Sequence, residues 1–125
     1  MYIKGKWTES KGGKFFASYN PATGDRIGLF PDGNGEDAAA AVEAAAEAFP
    51  SWSASTAYER SRYLYKAYTL FLERKEDIAR IMTEEQGKPL RAALGEVQYA
   101  ADFLIWFAEE VKRLYGRTIP APRED

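Results

Sequence analysis

A chain of 125 residues with 46% apolar and 29% charged side chains has the length and composition of one globular domain. Its net charge of −2 gives no electrostatic ground for binding nucleic acid, and no Lys/Arg block suggests a membrane surface. It holds no Cys and no His, which removes disulfides, thiol catalysis, the commonest metal ligands and the commonest general base together.

"MYIKGKW" carries charge where a leader would be apolar, so no signal peptide is expected. No run approaches the roughly eighteen apolar residues of a membrane span; the absence of Cys fits a cytoplasmic location, which is the expectation. Residues 1–33 read as a β segment. "MYIKGKW" and "KFFASY" are short aromatic and β-branched runs, and "TESKGG" between them predicts a hairpin. "NPATGD" is a second turn, with Asn20 held extended by Pro21 and Gly24 free to take positive φ. "RIGLFP" is a third short strand.

Residues 34–115 read as about four helices. Asn34 or Gly35 opens an Ala-rich helix with Glu36 and Asp37 in its first turn, where the helix dipole favours them. Pro50 is expected to end it. Ser55 or Thr56 caps the next helix, and Thr56 to Glu59 has capping-box spacing. Ala57, Leu64, Tyr68 and Phe71 mark its apolar face. A third helix starts near Glu76 and Asp77 and is expected to bury Ile78, Ile81 and Met82.

The last helix, about 90–115, would be about 39 Å long. Leu90, Leu94, Val97, Ala101, Leu104, Ala108, Val111 and Tyr115 form one continuous stripe. Tyr99, Phe103 and Trp106 form a second, nearly opposite stripe. A surface helix needs one apolar face; this one has two, so something should cover both. The second stripe reads as an interface or a pocket wall, because the first already claims the core. Gly116 can end the helix, and "GRTIPAPRED" (116–125) is an extended exit.

No phosphate-binding loop is present. In "TEEQGKPL" Gly87-Lys88 is followed by Pro89 rather than Ser or Thr, and there is no G-x-G-x-x-G. The stretch reads as a helix stop and restart, with Gly87 in the left-handed region and Pro89 in the first turn of the next helix. Glu84–Glu85 and Glu109–Glu110 are adjacent on helices and diverge by about 100°, so they suit solvated faces better than an acid–base pair. Lys88 is either an exposed cation at a helix end or a buried amine.

Several stretches in order carry a resemblance: "YIKGKW", "YNPATGD", "EDAAAAVEAAAEAFPSW", "TAYERSRYL", "MTEEQGKPL", "GEV" and "GRTIP". The series resembles the N-terminal segment of the NAD(P)-dependent aldehyde dehydrogenase superfamily, across essentially the whole chain. "GEVQYAADFLIWFAEEVKRLYGRTIPAP" is most similar to succinate-semialdehyde dehydrogenases. The resemblance implies an α+β, mostly α, partial aldehyde dehydrogenase fold, cut before the catalytic and most of the cofactor-binding core. In that family a Cys thiolate attacks the aldehyde, hydride passes to NAD or NADP, and a Glu activates water. All of these parts would lie beyond Asp125. No catalytic or cofactor-binding residue is therefore expected here, and the 125 residues alone should be inert.

The resemblance also implies that the last helix borders the substrate tunnel, with Gly95 and Tyr99 at lining positions and Phe103 and Trp106 continuing that face. Glu84, with turn residues near Tyr19, aligns with a monovalent-cation site of some members. The expected partners are an aldehyde substrate and further copies of the chain, through homo-oligomerisation or self-association. The rival readings are a stand-alone helical interaction module, with the second stripe as its docking face, and a small enzyme using Lys88 or the carboxylates.

Overall fold

The computed structural model describes residues 1–122. The expected "RED" end of the extended exit lies outside the described residues. Four short strands precede four helices: β1 Tyr2–Ile3, β2 Lys6–Trp7, β3 Phe15–Tyr19, β4 Arg26–Pro31, α1 Gly35–Ser53, α2 Ala57–Glu73, α3 Lys75–Gln86 and α4 Leu90–Glu110. The mostly helical α+β expectation matches this architecture.

The strand pairing differs from the expected hairpin. "MYIKGKW" folds back on itself, with β1 antiparallel to β2 and Tyr2 opposite Trp7. Lys4 and Gly5 both take positive φ, 52° and 76°, the geometry of a tight two-residue turn whose twist matches its strands. "KFFASY" pairs instead with "RIGLFP": β3 and β4 are antiparallel with Phe16 opposite Phe30, and their rings stack 5.9 Å apart. Asn20 organises the connecting turn, its Oδ1 accepting from Ala22 N at 2.9 Å and its carbonyl accepting from Gly24 N at 2.8 Å.

Asn34 is the N-cap of α1. Its Oδ1 accepts from the amides of Glu36 and Asp37, while Asp37 reaches back to the Asn34 amide at 2.9 Å. Asp37 also accepts from Ser10 Oγ at 2.8 Å and from Lys11 N at 3.0 Å, which ties the loop after β2 to the start of α1. Backbone N–H groups of Lys11 and Asn34 hold its carboxyl below the usual carboxylate range, with the Ser10 hydroxyl adding to them against the effect of burial.

Pro50 does not end α1, which continues to Ser53. Proline's φ is already helical, so only one amide bond is forgone. Ser51 and Ser53 hydroxyls donate to the Ala48 and Pro50 carbonyls, and Trp52 packs against Tyr63 of α2, so the final turn survives. Thr56 then caps α2 in the expected reciprocal box with Glu59.

The helical layer is α2 and α3 packed on α4. Ala79, Ala93 and Val97 form its centre, with Phe71, Ile78, Met82 and Leu94 packed around them. Ala101 and Ala108 extend the buried line along α4. Alanine at these contact points lets the helix axes approach closely. Ile81 was expected in this core but is 54% exposed. Ala79, not Ile81, faces α4, because Ile78, Ala79 and Met82 lie on one side of α3 and Ile81 turns away from it.

The last helix is shorter than expected. α4 gives way at Glu110 to a 3-10 turn, Val111–Arg113, closed by an Arg113–Glu110 ion pair. Leu90 and Tyr115, the outer members of the first stripe, are exposed rather than buried. The tighter 3-10 winding rotates later side chains off the α4 face, and the chain has left the helix before Tyr115. Gly116 takes φ 75°, but beyond the helical residues and so not as their cap. Among the described residues no helix is long and apolar enough to cross a membrane.

Candidate functional site

The two stripes of α4 have different fates. Ala93, Val97, Ala101 and Ala108 are buried beneath α2 and α3. The opposite face carries Gly95, Tyr99, Phe103 and Trp106, all exposed; Tyr99 is 64% and Trp106 61% open. The rings are ordered among themselves. Tyr99 meets Phe103 edge to face with centroids 4.8 Å apart, and Phe103 stacks on Phe107 at 6.2 Å.

Together with Asp102 and Phe107 these rings line a shallow apolar hollow of about 260 Å³. Around its far end, Trp106 and Phe107 also border a second hollow of about 500 Å³ with Leu64, Val111 and Leu114. Gly95 opens the stripe. A Cβ placed there would meet nothing within 4 Å. A glycine inside a helix costs about 1 kcal/mol relative to alanine, and no close neighbour within the described residues requires it. The surface is thus a smooth, ring-paved wall with clearance at one end, suited to lying against apolar matter.

Phe107 and Asp102 belong to this face although neither stripe included them. Phe107 lies four residues after Phe103 and Asp102 three after Tyr99, so helical spacing alone could have added both.

At the strand–turn–helix passage from β4 to α1 through "DGNG", the chain's own polar groups occupy the helix start: Asn34 Oδ1 takes the first free amides, and Glu36 and Asp37 place negative charge in the first turn. No group of three or more acidic side chains that could hold a metal ion gathers among the described residues.

The same order of segments recurs in known proteins. Residues 7–125 match the Aldehyde dehydrogenase family. The chain belongs to the aldehyde dehydrogenase family. A glutarate-semialdehyde dehydrogenase of Pseudomonas putida is 48% identical over 124 residues, 99% of this chain and 26% of that protein. A succinate-semialdehyde dehydrogenase [NADP(+)] of Escherichia coli is 46% identical over 123 residues, 98% of this chain and 26% of that protein. The crystal structure of an NADP dependent enzyme of Escherichia coli superposes with a TM-score of 0.95 at 46% identity, over 98% of this chain and 26% of that one. This aldehyde dehydrogenase segment therefore spans about a quarter of the length of the relatives it matches.

The "TEEQGKPL" corner is the structural turn expected of it. Gly87 takes φ 71° and its amide bonds to the Thr83 carbonyl at 2.9 Å. Pro89 stands one position earlier than expected, at the N-cap of α4 with ψ 136° rather than inside the first turn. Its carbonyl still accepts the first α4 bonds, from Ala92 at 2.9 Å and Ala93 at 3.1 Å, because an extended ψ suits a cap and proline lacks only an amide. Lys88 is neither free nor fully buried: its side chain is 24% exposed and ion-pairs with Glu96. Glu84 is exposed on the last turn of α3. Glu85 and Glu109 are exposed as well, and Glu110 is tied to Arg113.

Proposed function

We propose that this segment serves within an NAD(P)-dependent aldehyde dehydrogenase that oxidises a short semialdehyde, succinate semialdehyde foremost, to the carboxylic acid. The observation that carries the reading is the uncovered α4 face, Gly95, Tyr99, Phe103 and Trp106, in a chain of this family. This face is the wall along which the aldehyde reaches the reacting centre. Its rings exclude water beside the carbonyl and hold the carbon chain by apolar contact, and the clearance at Gly95 leaves room for it to pass.

The nicotinamide, NAD or NADP, accepts the hydride when bound, and its site belongs to the rest of the enzyme. The same holds for the thiolate and the water-activating carboxylate. Glu84 gives one carboxylate toward a monovalent cation, completed from elsewhere. The enzyme works as a homo-oligomer in the cytoplasm. Support for the semialdehyde comes from relatives named for succinate and glutarate semialdehydes, and support for the cofactor from a relative and a structure named for NADP.

The test is aldehyde-dependent reduction of NAD+ and NADP+, followed by nicotinamide absorbance, in the complete enzyme that contains this segment. Four- and five-carbon semialdehydes should be turned over with higher kcat/KM than unsubstituted aldehydes of similar length. Tyr99→Ala and Trp106→Ala should raise the aldehyde KM and leave the KM for the nicotinamide alone. Equal KM values in wild type and both variants would remove α4 from the substrate path. The same ring face could instead serve a stand-alone interaction module; that reading requires the rings to remain accessible to labelling in the complete protein.

A further inference from the structure

Helix α4 begins without the devices that begin α1 and α2. Those two start with full capping boxes, whereas α4 has Pro89 at its cap, no side-chain oxygen on its first amides and no acidic residue in its first turn. Local sequence therefore does little to fix where α4 leaves the corner. Tertiary contacts do so instead. Gly87 lies so close to the β3–β4 turn that a Cβ on it would meet Pro21 Cγ at 2.8 Å. From the adjoining position, Lys88 reaches back over the first turns of α4 to ion-pair with Glu96. Farther along, Lys75 Nζ at the start of α3 donates to Gln98 Oε1 at 2.9 Å.

The placement of the Lys88 pair is informative. A cation beside a helix N-terminus is opposed by the helix dipole, so Lys88 contributes nothing there as a charge on the helix end. What it gains is the tie to Glu96. Glu96 adjoins Gly95 and precedes Tyr99 by three residues, so the tie ends at the start of the exposed ring stripe. Neither Lys88 nor Glu96 lines the aromatic hollow.

We infer that Lys88 and Glu96 are positioning residues for the aldehyde-facing wall: their ion pair, bridging the α3–α4 corner and the first turns of α4, sets where Gly95 and Tyr99 stand. This rests on the proposed role of α4 in the substrate path. The pair touches no substrate; it acts through the helix that it tethers. Because Glu96 is half in solvent, the effect is modest, and a wall that binds ground state and transition state alike is read in KM rather than in kcat.

The experiment uses the complete enzyme with succinate semialdehyde as the probe substrate. Lys88→Met and Glu96→Gln should each raise the aldehyde KM roughly two- to fivefold, with kcat and the nicotinamide KM unchanged. The double variant should equal either single one, because one interaction is lost in all three. Lys88→Arg, which keeps the charge, should return KM toward wild type, and it keeps the test open if Lys88→Met fails to fold. Tyr99→Ala is the reference for the wall itself. If it raises KM while Lys88→Met and Glu96→Gln do not, the wall reading stands and the positioning inference falls. If none of the three moves KM, the wall reading falls and takes the inference with it. A loss of thermal stability with unchanged KM in the two charge variants also overturns it, since that is a structural tie and nothing more.

Discussion

Tyr99 and Phe103 meet edge to face one helical turn apart, with centroids at 4.8 Å, while both rings stay open to solvent. Side chains that stiffen one another without a neighbouring element present a ready-made apolar surface. With Trp106 and Phe107 beside them, they form a contiguous exposed apolar patch, the kind of surface that partners cover. The 125-residue chain is therefore expected to self-associate through α4. Sedimentation velocity should show concentration-dependent oligomers, and Phe103→Lys with Trp106→Lys should return them to monomer. A wild-type monomer across the accessible concentration range would contradict this.

The proposed function puts the thiol step on residues other than these 125, which gives a direct test. The 125 contain no Cys to form a thioester and no His to act as base, and Asn34 and Asp37 occupy the start of α1. Mixed with semialdehyde and NAD+ or NADP+, they should give no reduced nicotinamide above the rate without protein. Turnover by the purified segment would sink this expectation.

Much of this was legible in advance, and what was not has definite causes. The second stripe of α4 stood out because Tyr99, Phe103 and Trp106 recur at helical spacing opposite Val97 and Ala101, and periodicity reads burial well when a helix is long. The corner at Gly87 was legible because the left-handed region selects for glycine. The pairing of β1 was not: "TESKGG" looks more like a turn than "KG" does, yet Lys4 accepts positive φ and closes the tighter hairpin. Pro50 misled because its helical φ matters as much as its missing amide near a helix end that serine hydroxyls and Trp52 support. Ile81 misled because hydrophobicity does not state which side of α3 meets α4. The Lys88–Glu96 tie crosses a corner, and no helical spacing rule anticipates such a pair.

Asp37 should make the N-terminal segment sensitive to acid. Its carboxyl is held below the usual value by the amides of Lys11 and Asn34, with help from Ser10. A folded-state pKa below the unfolded one contributes stability that is present above the unfolded pKa, near 3.9. It is lost as pH falls through the folded value. Protection of the Lys11 and Asn34 amides, taken relative to their intrinsic exchange rates at each pH, should therefore fall below about pH 4, ahead of protection in α4. Asp37→Asn should show fast exchange at these amides even at neutral pH and a weaker dependence on acid. Unchanged protection in that variant would show that the Ser10–Asp37 tie does not hold the loop.

Val97 and Ala93 test the close approach of the helices. Val97 is 2% exposed at the centre of the α2–α3–α4 contact, and Ala93 has no exposed surface. Val97→Ala should cost roughly 1–3 kcal/mol through lost burial and the cavity left behind. Ala93→Leu should cost roughly 1–3 kcal/mol for the opposite reason, by forcing helices apart that alanine lets touch. Denaturant titration of the complete enzyme, or of the segment if its unfolding is reversible, measures both. A neutral Ala93→Leu would mean that the helix contact is looser than its buried alanines indicate.

Two glycines in this segment should respond to the same substitution with opposite sign. Gly87 sits at φ 71°, where a side chain is strained, and an added Cβ would press on Pro21 Cγ at 2.8 Å. Gly87→Ala should destabilise by more than about 1 kcal/mol, through backbone strain and the displaced turn together. Gly95 lies inside α4 with open space where its Cβ would stand. Gly95→Ala should therefore stabilise the helix by up to about 1 kcal/mol. In the complete enzyme, however, the methyl group would enter the clearance assigned to the aldehyde, so the aldehyde KM should rise while thermal stability does not fall. Thermal melts and aldehyde kinetics on the two variants separate the cases. If Gly95→Ala stabilises and also leaves KM unchanged for both short and branched aldehydes, the clearance at the head of α4 does not face substrate, and Gly95 is only a permissive position in a helix.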